Sequence, residues 1–350
     1  MTESTQLSPL PPATPDIPAD LPPHRLSVVV PLYNEEDNVD PLLERIHLAL
    51  NPYPYPWEVV IVDDGSADNT VPNLEKAALR YGPHVRVVAL MRNFKQTAAM
   101  QAGLDAARGD VIVTMDGDLQ NDPVDIPRMV ARLLNEDLDL VAGWRQNRQD
   151  GLFLRKIPSK IANRLIARLT GVKLRDYGCS LKAFRGNVIK RVRLYGEMHR
   201  FIPAWMATVT TPRRIAEEPT THHARTAGVS KYGISRTFRV ILDLIAVYFF
   251  MRFRARPGHF FGSIGLALTA ISGLVLTWLA WVKFGLGESI GGRPLLIVGI
   301  GTLIAGVHFI TTGVLSELLA RIYFESGTVR SYSARQTPEL AANEAWHQPD

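Results

Sequence analysis

Two stretches in the last third of the chain contain no Asp, Glu, Lys or Arg: Phe260–Val282 and Leu295–Leu315. They run to about 23 and about 21 residues, and each is long enough to cross roughly 30 Å of hydrocarbon. His308 is the one residue in the second run that can carry charge. Buried helices of soluble cores rarely lack charge over this length twice in succession, so the pair predicts a transmembrane hairpin closed by the Gly-rich turn Lys283–Arg293. Phe238–Phe253 is apolar too, but Arg239, Asp243 and Arg252 interrupt it. That pattern predicts a helix lying in the interface, with Arg252, Arg254 and Arg256 toward anionic head groups. Arginines before the first span, and Arg321 and Arg330 after the second, place both termini on the cytoplasmic side. Lys283 and Arg293 weaken that contrast slightly. The expectation is a multi-pass protein of the inner (cytoplasmic) membrane, its soluble part facing the cytoplasm.

Ahead of the hairpin, the pattern changes to strand–helix alternation. Leu26–Pro31, Trp57–Val62, Val85–Leu90 and Asp110–Met115 read as short buried strands. Helices are expected over about Asn38–Leu50, from Ser66 or Asp68 to about Tyr81, and over Gln96–Arg108. This rhythm predicts an open, mostly parallel α/β sheet, in which ligands bind beyond the carboxyl ends of the strands. The polar clusters obey that rule: Tyr33-Asn34-Glu35, Asp63-Asp64-Gly65-Ser66 and Asp116-Gly117-Asp118 all follow strands. There is no Gly-x-Gly-x-x-Gly turn and no Walker-type Gly-Lys-Ser/Thr loop, so a phosphate ligand needs a metal bridge or distant basic groups.

Asp116 and Asp118 flank a glycine after four β-branched residues, Val111 to Thr114. Two such carboxylates repel each other and invite a hard cation, Mg2+ or Mn2+, to which Gln120 can add a neutral oxygen. A solvated acidic turn is the alternative for this tripeptide alone. Helix capping accounts for Asp68, but not for adjacent acids at Asp63 and Asp64.

Downstream, Asp139–Gly143 reads as another strand, ending in Trp144-Arg145. Arg148, Arg155, Lys156 and Lys160 follow, then an amphipathic helix from about Ile157 to Thr170. Arginine forks bind phosphate bidentately, so Arg145 and Arg155 are candidates to receive an acceptor phosphate. Lys156 competes with Arg155. His199 and Arg200 are weaker candidates near the donor sugar or that phosphate. Arg213–Thr220 is strand-like, and the loop Arg225–Tyr232 carries Arg225, Ser230 and Lys231, suited to closing over a diphosphate. Cys179, the single cysteine, is expected to be packed rather than reactive. The net charge of +5 suits anionic partners. Because the positive residues gather near the predicted membrane and acceptor regions, nucleic acid is not among them.

PLYNEED (Pro31–Asp37), VDDGSADNT (Val62–Thr70), RNFKQTAAMQAG (Arg92–Gly103) and MDGDLQNDP (Met115–Pro123) together resemble family 2 glycosyltransferases of GT-A fold. The similarity is greatest to the polyprenyl-phosphate branch: dolichol-phosphate mannose synthases, bactoprenol glucosyltransferases and undecaprenyl-phosphate aminoarabinose transferases. It spans about Leu26 to Glu325, and RDYGCSLKAFR at Arg175–Arg185 is closest to the aminoarabinose group. The resemblance implies inverting transfer of a sugar from a nucleotide diphosphate donor to polyprenyl phosphate, undecaprenyl phosphate in bacteria. UDP is the favoured nucleotide, with GDP behind it. Pro31, Tyr33, Glu35, Asp63 and Asp64 match positions that hold the nucleotide base and ribose, and Asp116, Asp118 and Gln120 match the metal site. Arg145 and Arg155 match the lipid-phosphate arginines, and Asp176 matches a proposed catalytic base. A structural partner for a nearby arginine is the equal alternative for Asp176. A phosphate monoester has its second pKa near about 6 and is already largely dianionic, so the acceptor needs positioning more than deprotonation. Lys95 departs from the pattern, since many relatives carry glycine there. Relatives form homotetramers through the membrane region.

The expected layout is a disordered Pro-rich segment over 1–24, a GT-A domain over 25–235, an interfacial helix over 236–257, the hairpin over 258–325 and a cytoplasmic tail over 326–350. Two other readings compete with polyprenyl-phosphate transfer. A processive polysaccharide synthase would need several more spans and a Gln-x-x-Arg-Trp motif, and neither is found. A non-catalytic nucleotide-sugar scaffold would tolerate loss of the metal carboxylates, yet they are present.

Overall fold

The computed structural model describes residues 21–145, 166–168, 170–223, 249 and 257–325. They fall into two compact units, one reaching His223 and one running from Phe249 to Glu325. The first begins β1 (Leu26–Leu32), α1 (Val39–Leu50), β2 (Trp57–Asp63), α2 (Thr70–Tyr81), β3 (Val85–Ala89), α3 (Gln96–Ala106), β4 (Val111–Thr114), α4 (Asp125–Asn135) and β5 (Leu140–Arg145). It continues with β6 (Lys182–Arg185), α5 (Gly186–Ile189), α6 (Ile202–Met206) and β7 (Ile215–Thr220), with short 3-10 turns at Met198–Phe201 and Pro212–Arg214.

Seven strands form one sheet in the order β3-β2-β1-β4-β6-β5-β7. β1, β2 and β4 are buried almost throughout, as their Val/Ile-rich runs require of strands covered on both faces. The chain moves outward from β1 through β2 to β3, then crosses back to pair β4 with the other side of β1. The strand order therefore reverses between β1 and β4, where sheets of this kind open a crevice for ligands. Helix α1 packs Leu42, Leu43 and Ile46 into the core with Trp57, Val59 and Ile61 of β2.

The alternation read from the sequence holds in the first half, and four details differ. β6 was not anticipated: it runs antiparallel to both neighbours, β4 and β5. Its four residues, KAFR, are too short and too polar to show a strand period. Helix α3 ends at Ala106 instead of Arg108, because Arg108 turns back to bond buried Glu58. At α2 it is Asp68 that bonds the first turn, accepting from the Thr70 N–H at 3.0 Å, whereas Ser66 Oγ accepts from the Asn34 N–H at 2.9 Å. Finally, Pro212 starts a 3-10 turn, so β7 begins at Ile215. Most of the predicted interfacial helix lies outside the described residues.

The second unit is an antiparallel pair, α7 (Pro257–Phe284) and α8 (Pro294–Glu325). Both are long and apolar enough to cross a membrane. Small residues bring the backbones close: a Cβ on Gly265 would sit 2.7 Å from the Gly306 carbonyl oxygen. Ser272 Oγ donates to the Gly299 carbonyl at 2.6 Å. Leu266, Leu274, Trp281, Ile297 and Ile304 face outward. That apolar exterior is the opposite of a soluble core helix and suits lipid.

Helix α3 lies tight on the sheet, because a Cβ at Gly103 would come within 2.3 Å of Val29 Cγ1. Gly103→Val should therefore overpack this contact and destabilise the fold by about 1–3 kcal/mol, lowering the thermal midpoint by several degrees. An unchanged midpoint would show that α3 has room to lift.

Candidate active site

The β1–β2 register places Leu32 beside Asp63, and the β1–β4 register places Val29 beside Thr114. Loops after β1, β2 and β4 thus leave the sheet at one edge. The first two are tied together there: Asn34 Oδ1 accepts from the Ala67 N–H at 2.9 Å, and the Glu35 N–H donates to Thr70 Oγ1 at 3.0 Å. Pro31 sits in β1 beside Val62, and Tyr33 is 45% exposed at the loop surface. The Glu35 carboxylate takes the Asn38 amide. Gly65 has φ 69, and a Cβ on it would lie 2.3 Å from the Arg92 carbonyl carbon, so only glycine lets the 92–95 segment pass.

Asp63 and Asp64 are both buried. Asp63 Oδ2 accepts from the N–H groups of Gly65 and Ser66, each at 3.1 Å, whereas its Oδ1 is buried with no partner. Such an orphan is costly unless a ligand supplies a donor. Asp64 Oδ1 accepts from the Phe94 N–H at 2.7 Å. Burial pushes the Asp64 carboxyl above its usual range, and the neighbouring Asp63 adds to this against the N–H groups of Phe94 and Lys95.

Asp116-Gly117-Asp118 turns immediately after β4. A Cβ at Gly117 would lie 2.0 Å from Leu32 Cδ2, so the glycine is required by packing. Burial raises the Asp116 pKa, and the charge of Asp118 raises it further. Gln96 Nε2 donates to Asp116 Oδ1 at 2.9 Å, and the Ser180 hydroxyl also supports Asp116. Asp118 Oδ1 accepts from the Gln120 N–H at 3.2 Å. The Gln120 carbonyl in turn receives the His223 N–H at 2.8 Å, which docks the end of β7 on this turn. Among the described residues no three His, Cys, Asp or Glu side chains form a metal cluster. Two mutually repelling carboxylates, Asp116 and Asp118, nevertheless make an oxygen donor pair, which fits a hard divalent cation completed by ligands from a substrate or water.

On the other side of β4, Arg145 at the end of β5 meets Asp176 in a bidentate pair, Nε to Oδ2 at 2.6 Å and Nη2 to Oδ1 at 3.0 Å. Both side chains are mostly buried. Lys182, 2% exposed at the start of β6, donates to the Cys179 carbonyl and acts electrostatically on Asp116 and Asp176. Burial lowers the Lys182 pKa. Cys179 is buried, and burial raises its thiol, as befits a packed residue.

His199 Nδ1 lies 2.6 Å from Thr97 Oγ1, and burial, helped by Arg200 and Lys182, lowers its pKa to about 4. It is neutral at physiological pH. Arg200 pairs with Glu197 at 3.0 Å. Arg155, Arg225, Ser230 and Lys231 lie outside the described residues. Four contributors escaped the sequence reading: Gln96, Ser180, Lys182 and His223. Gln96 stood inside the RNFKQTAAMQAG motif and Ser180 and Lys182 inside RDYGCSLKAFR, where residue type alone did not single them out, whereas nothing local to His223 points to a site.

An open sheet with paired acids on its carboxyl edge is the architecture of GT-A glycosyltransferases, and a family model described as Glycosyl transferase family 2 matches residues 27–193. The chain belongs to this family and is a glycosyltransferase. It is 60% identical, over 89% of its length and 92% of the relative's, to a dodecaprenyl-phosphate galacturonate synthase of Rhizobium johnstonii. It is 38% identical, over 91% and 96%, to an undecaprenyl-phosphate 4-deoxy-4-formamido-L-arabinose transferase of Klebsiella pneumoniae. Mannosyl-3-phosphoglycerate synthase of Rubrobacter xylanophilus shares the fold, with a TM-score of 0.50 at 17% identity over 63% of this chain and 72% of that one.

The His199 environment has a consequence for stability. The unfolded chain takes up a proton near the ordinary value of 6.5, but the folded chain does so only at about 4. Stability is therefore lost as pH falls between about 6.5 and 4. His199→Gln should flatten the dependence of the thermal midpoint on pH across that window; an unaltered slope would mean other groups dominate it.

Proposed function

We propose that this enzyme transfers a sugar from a UDP-sugar to a polyprenyl phosphate, with inversion at the anomeric carbon. The observation that carries the reading is the juxtaposition, across β4, β6 and β5, of a divalent-cation donor set with a buried bidentate arginine that acts on Asp116. One holds a leaving diphosphate and the other receives an attacking phosphate.

The nucleotide lies over the loops after β1 and β2. The unpartnered Asp63 Oδ1 accepts an N–H from the base, with Pro31, Tyr33, Glu35 and Asp64 around base and ribose. Asp116, Asp118 and Gln120 would hold Mg2+ or Mn2+, which when bound offsets the charge that builds on the departing diphosphate. Arg225, Ser230 and Lys231, outside the described residues, are candidates to bind the donor diphosphate. GDP remains the second choice of nucleotide.

Arg145 presents its guanidinium to the acceptor phosphate, with Arg155 assisting. Asp176 holds that fork in place by its two hydrogen bonds. Its carboxylate is a positioning group in this scheme, because a phosphate that is already dianionic gives up no proton when it attacks. A phosphate oxygen of the lipid forms a bond to the anomeric carbon, the bond from that carbon to the diphosphate oxygen breaks, and the nucleoside diphosphate leaves. Neutral His199 and Arg200 flank the reacting groups.

The 60% identical relative is named for galacturonate, and an acidic hexose is accordingly the sugar we favour. Helices α7 and α8 anchor the chain in the inner membrane, with both termini cytoplasmic, where the lipid acceptor is available without leaving the bilayer. A homotetramer assembled through this region accords with the implied branch.

Transfer of labelled sugar into organic-extractable lipid tests the scheme. Wild-type membranes with UDP-galacturonic acid and Mn2+ should yield polyprenyl phosphate carrying the labelled sugar. Asp118→Asn should reduce the product at least about a hundredfold while the protein still inserts into membranes. Full activity of that variant would remove the metal assignment, and absence of lipid product with every donor would defeat the function.

A further inference from the structure

Residues 93–97 cross the carboxyl edge between its two acid pairs. The Phe94 N–H goes to Asp64 at 2.7 Å, and the Gln96 side chain goes to Asp116 at 2.9 Å. Lys95 lies between them with φ 78 and ψ 159, a conformation nearly reserved to glycine. The surroundings impose it. Asn93 Oδ1 accepts the Lys95 N–H at 3.0 Å, and the Lys95 carbonyl opens α3 by accepting from Ala98 at 3.0 Å and Ala99 at 3.2 Å.

A glycine would make this turn without strain, so a lysine needs a compensating use. Its fold offers none: the side chain is exposed, and its ammonium has no ion pair or hydrogen bond among the described residues. Lys95 does lie close enough for its charge to act on Asp64. It therefore places a cation with no protein partner among the described residues between the two acid pairs, within a residue of the side chain that holds Asp116.

We propose that Lys95 is a donor-binding residue whose ammonium meets an anionic oxygen of the nucleotide sugar. This rests on the donor site proposed above. The oxygen belongs either to the diphosphate or to a carboxylate on the sugar. Backbone strain kept at a binding edge is the pattern expected where a ligand contact outweighs a local penalty.

Titration calorimetry on the full-length protein, with Mn2+ present, tests this with UDP, UDP-glucose and UDP-galacturonic acid, and with guanosine counterparts as a second set. Lys95→Met removes the charge and keeps the strain, Lys95→Arg keeps both, and Lys95→Gly removes both. Loss of a charge-assisted contact should weaken binding by about ten- to a hundredfold in the Met and Gly variants, while Arg retains most of it. If all three uridine ligands weaken together, the partner is the diphosphate; if UDP-galacturonic acid alone weakens, it is the sugar carboxylate. Lys95→Gly should also melt a few degrees above wild type, separating strain relief from lost affinity. Equal binding by wild type and Lys95→Met would overturn the proposal. Failure of folded wild-type protein to bind any of the nucleotides would instead overturn the donor site itself, and this inference with it.

Discussion

Carboxylates crowd one rim of the sheet. Asp63, Asp64, Asp116 and Asp118 stand at the ends of β2 and β4, the parallel strands on either side of β1, partly or wholly out of water; Asp63 raises the cost of ionising Asp64, and Asp118 that of ionising Asp116. The rest of the unit can be understood as the response to that repulsion. Backbone N–H groups of residues 65, 66 and 94 bond the first pair except at Asp63 Oδ1, and Gln96 and Ser180 support the second. Two cations, Arg145 and Lys182, stand behind Asp116 and lower its pKa in part. What remains is an acidic edge with an orphaned oxygen, which a divalent ion and a nucleotide N–H would both relieve.

The proposed acceptor side poses the opposite problem, holding a cation in place without neutralising its use. Asp176 grips Arg145 through Nε and Nη2, and the bidentate geometry fixes the guanidinium plane. Lys182, one strand away, links the two halves of the site through its charge on Asp116 and Asp176. A buried lysine is expensive to maintain, which argues for this bridging position over a purely structural one.

Much of this was legible in the amino-acid order. Four consecutive β-branched residues located β4, and acids immediately after strands located the edge, because parallel strands buried on both faces leave only their ends for polar groups. The two charge-free runs located α7 and α8. What stayed hidden depended on distant partners. β6 has no period of its own and exists because β4 and β5 flank it. Ser180 and Lys182 reach Asp116 from more than sixty residues away, about the span of a small domain, and although they lie in RDYGCSLKAFR nothing in that stretch says which carboxylate they face. For Asp176 the sequence left base and arginine partner as alternatives, and only three dimensions place the arginine beside it.

The reversed strand also bears on how such enzymes can diversify. β5 and β6 are antiparallel neighbours, so β5 ends and β6 begins at the same rim of the sheet. Everything between Arg145 and Lys182 is thus an excursion that leaves and rejoins the scaffold at one place. Its length ahead of Asp176 can drift without shifting any strand register, while Asp176 and Ser180 stay tied to Arg145 and Asp116. With Arg145 as the proposed acceptor residue, one sheet can be fitted to new carriers by rewriting the part of this insert that touches neither Arg145 nor Asp116.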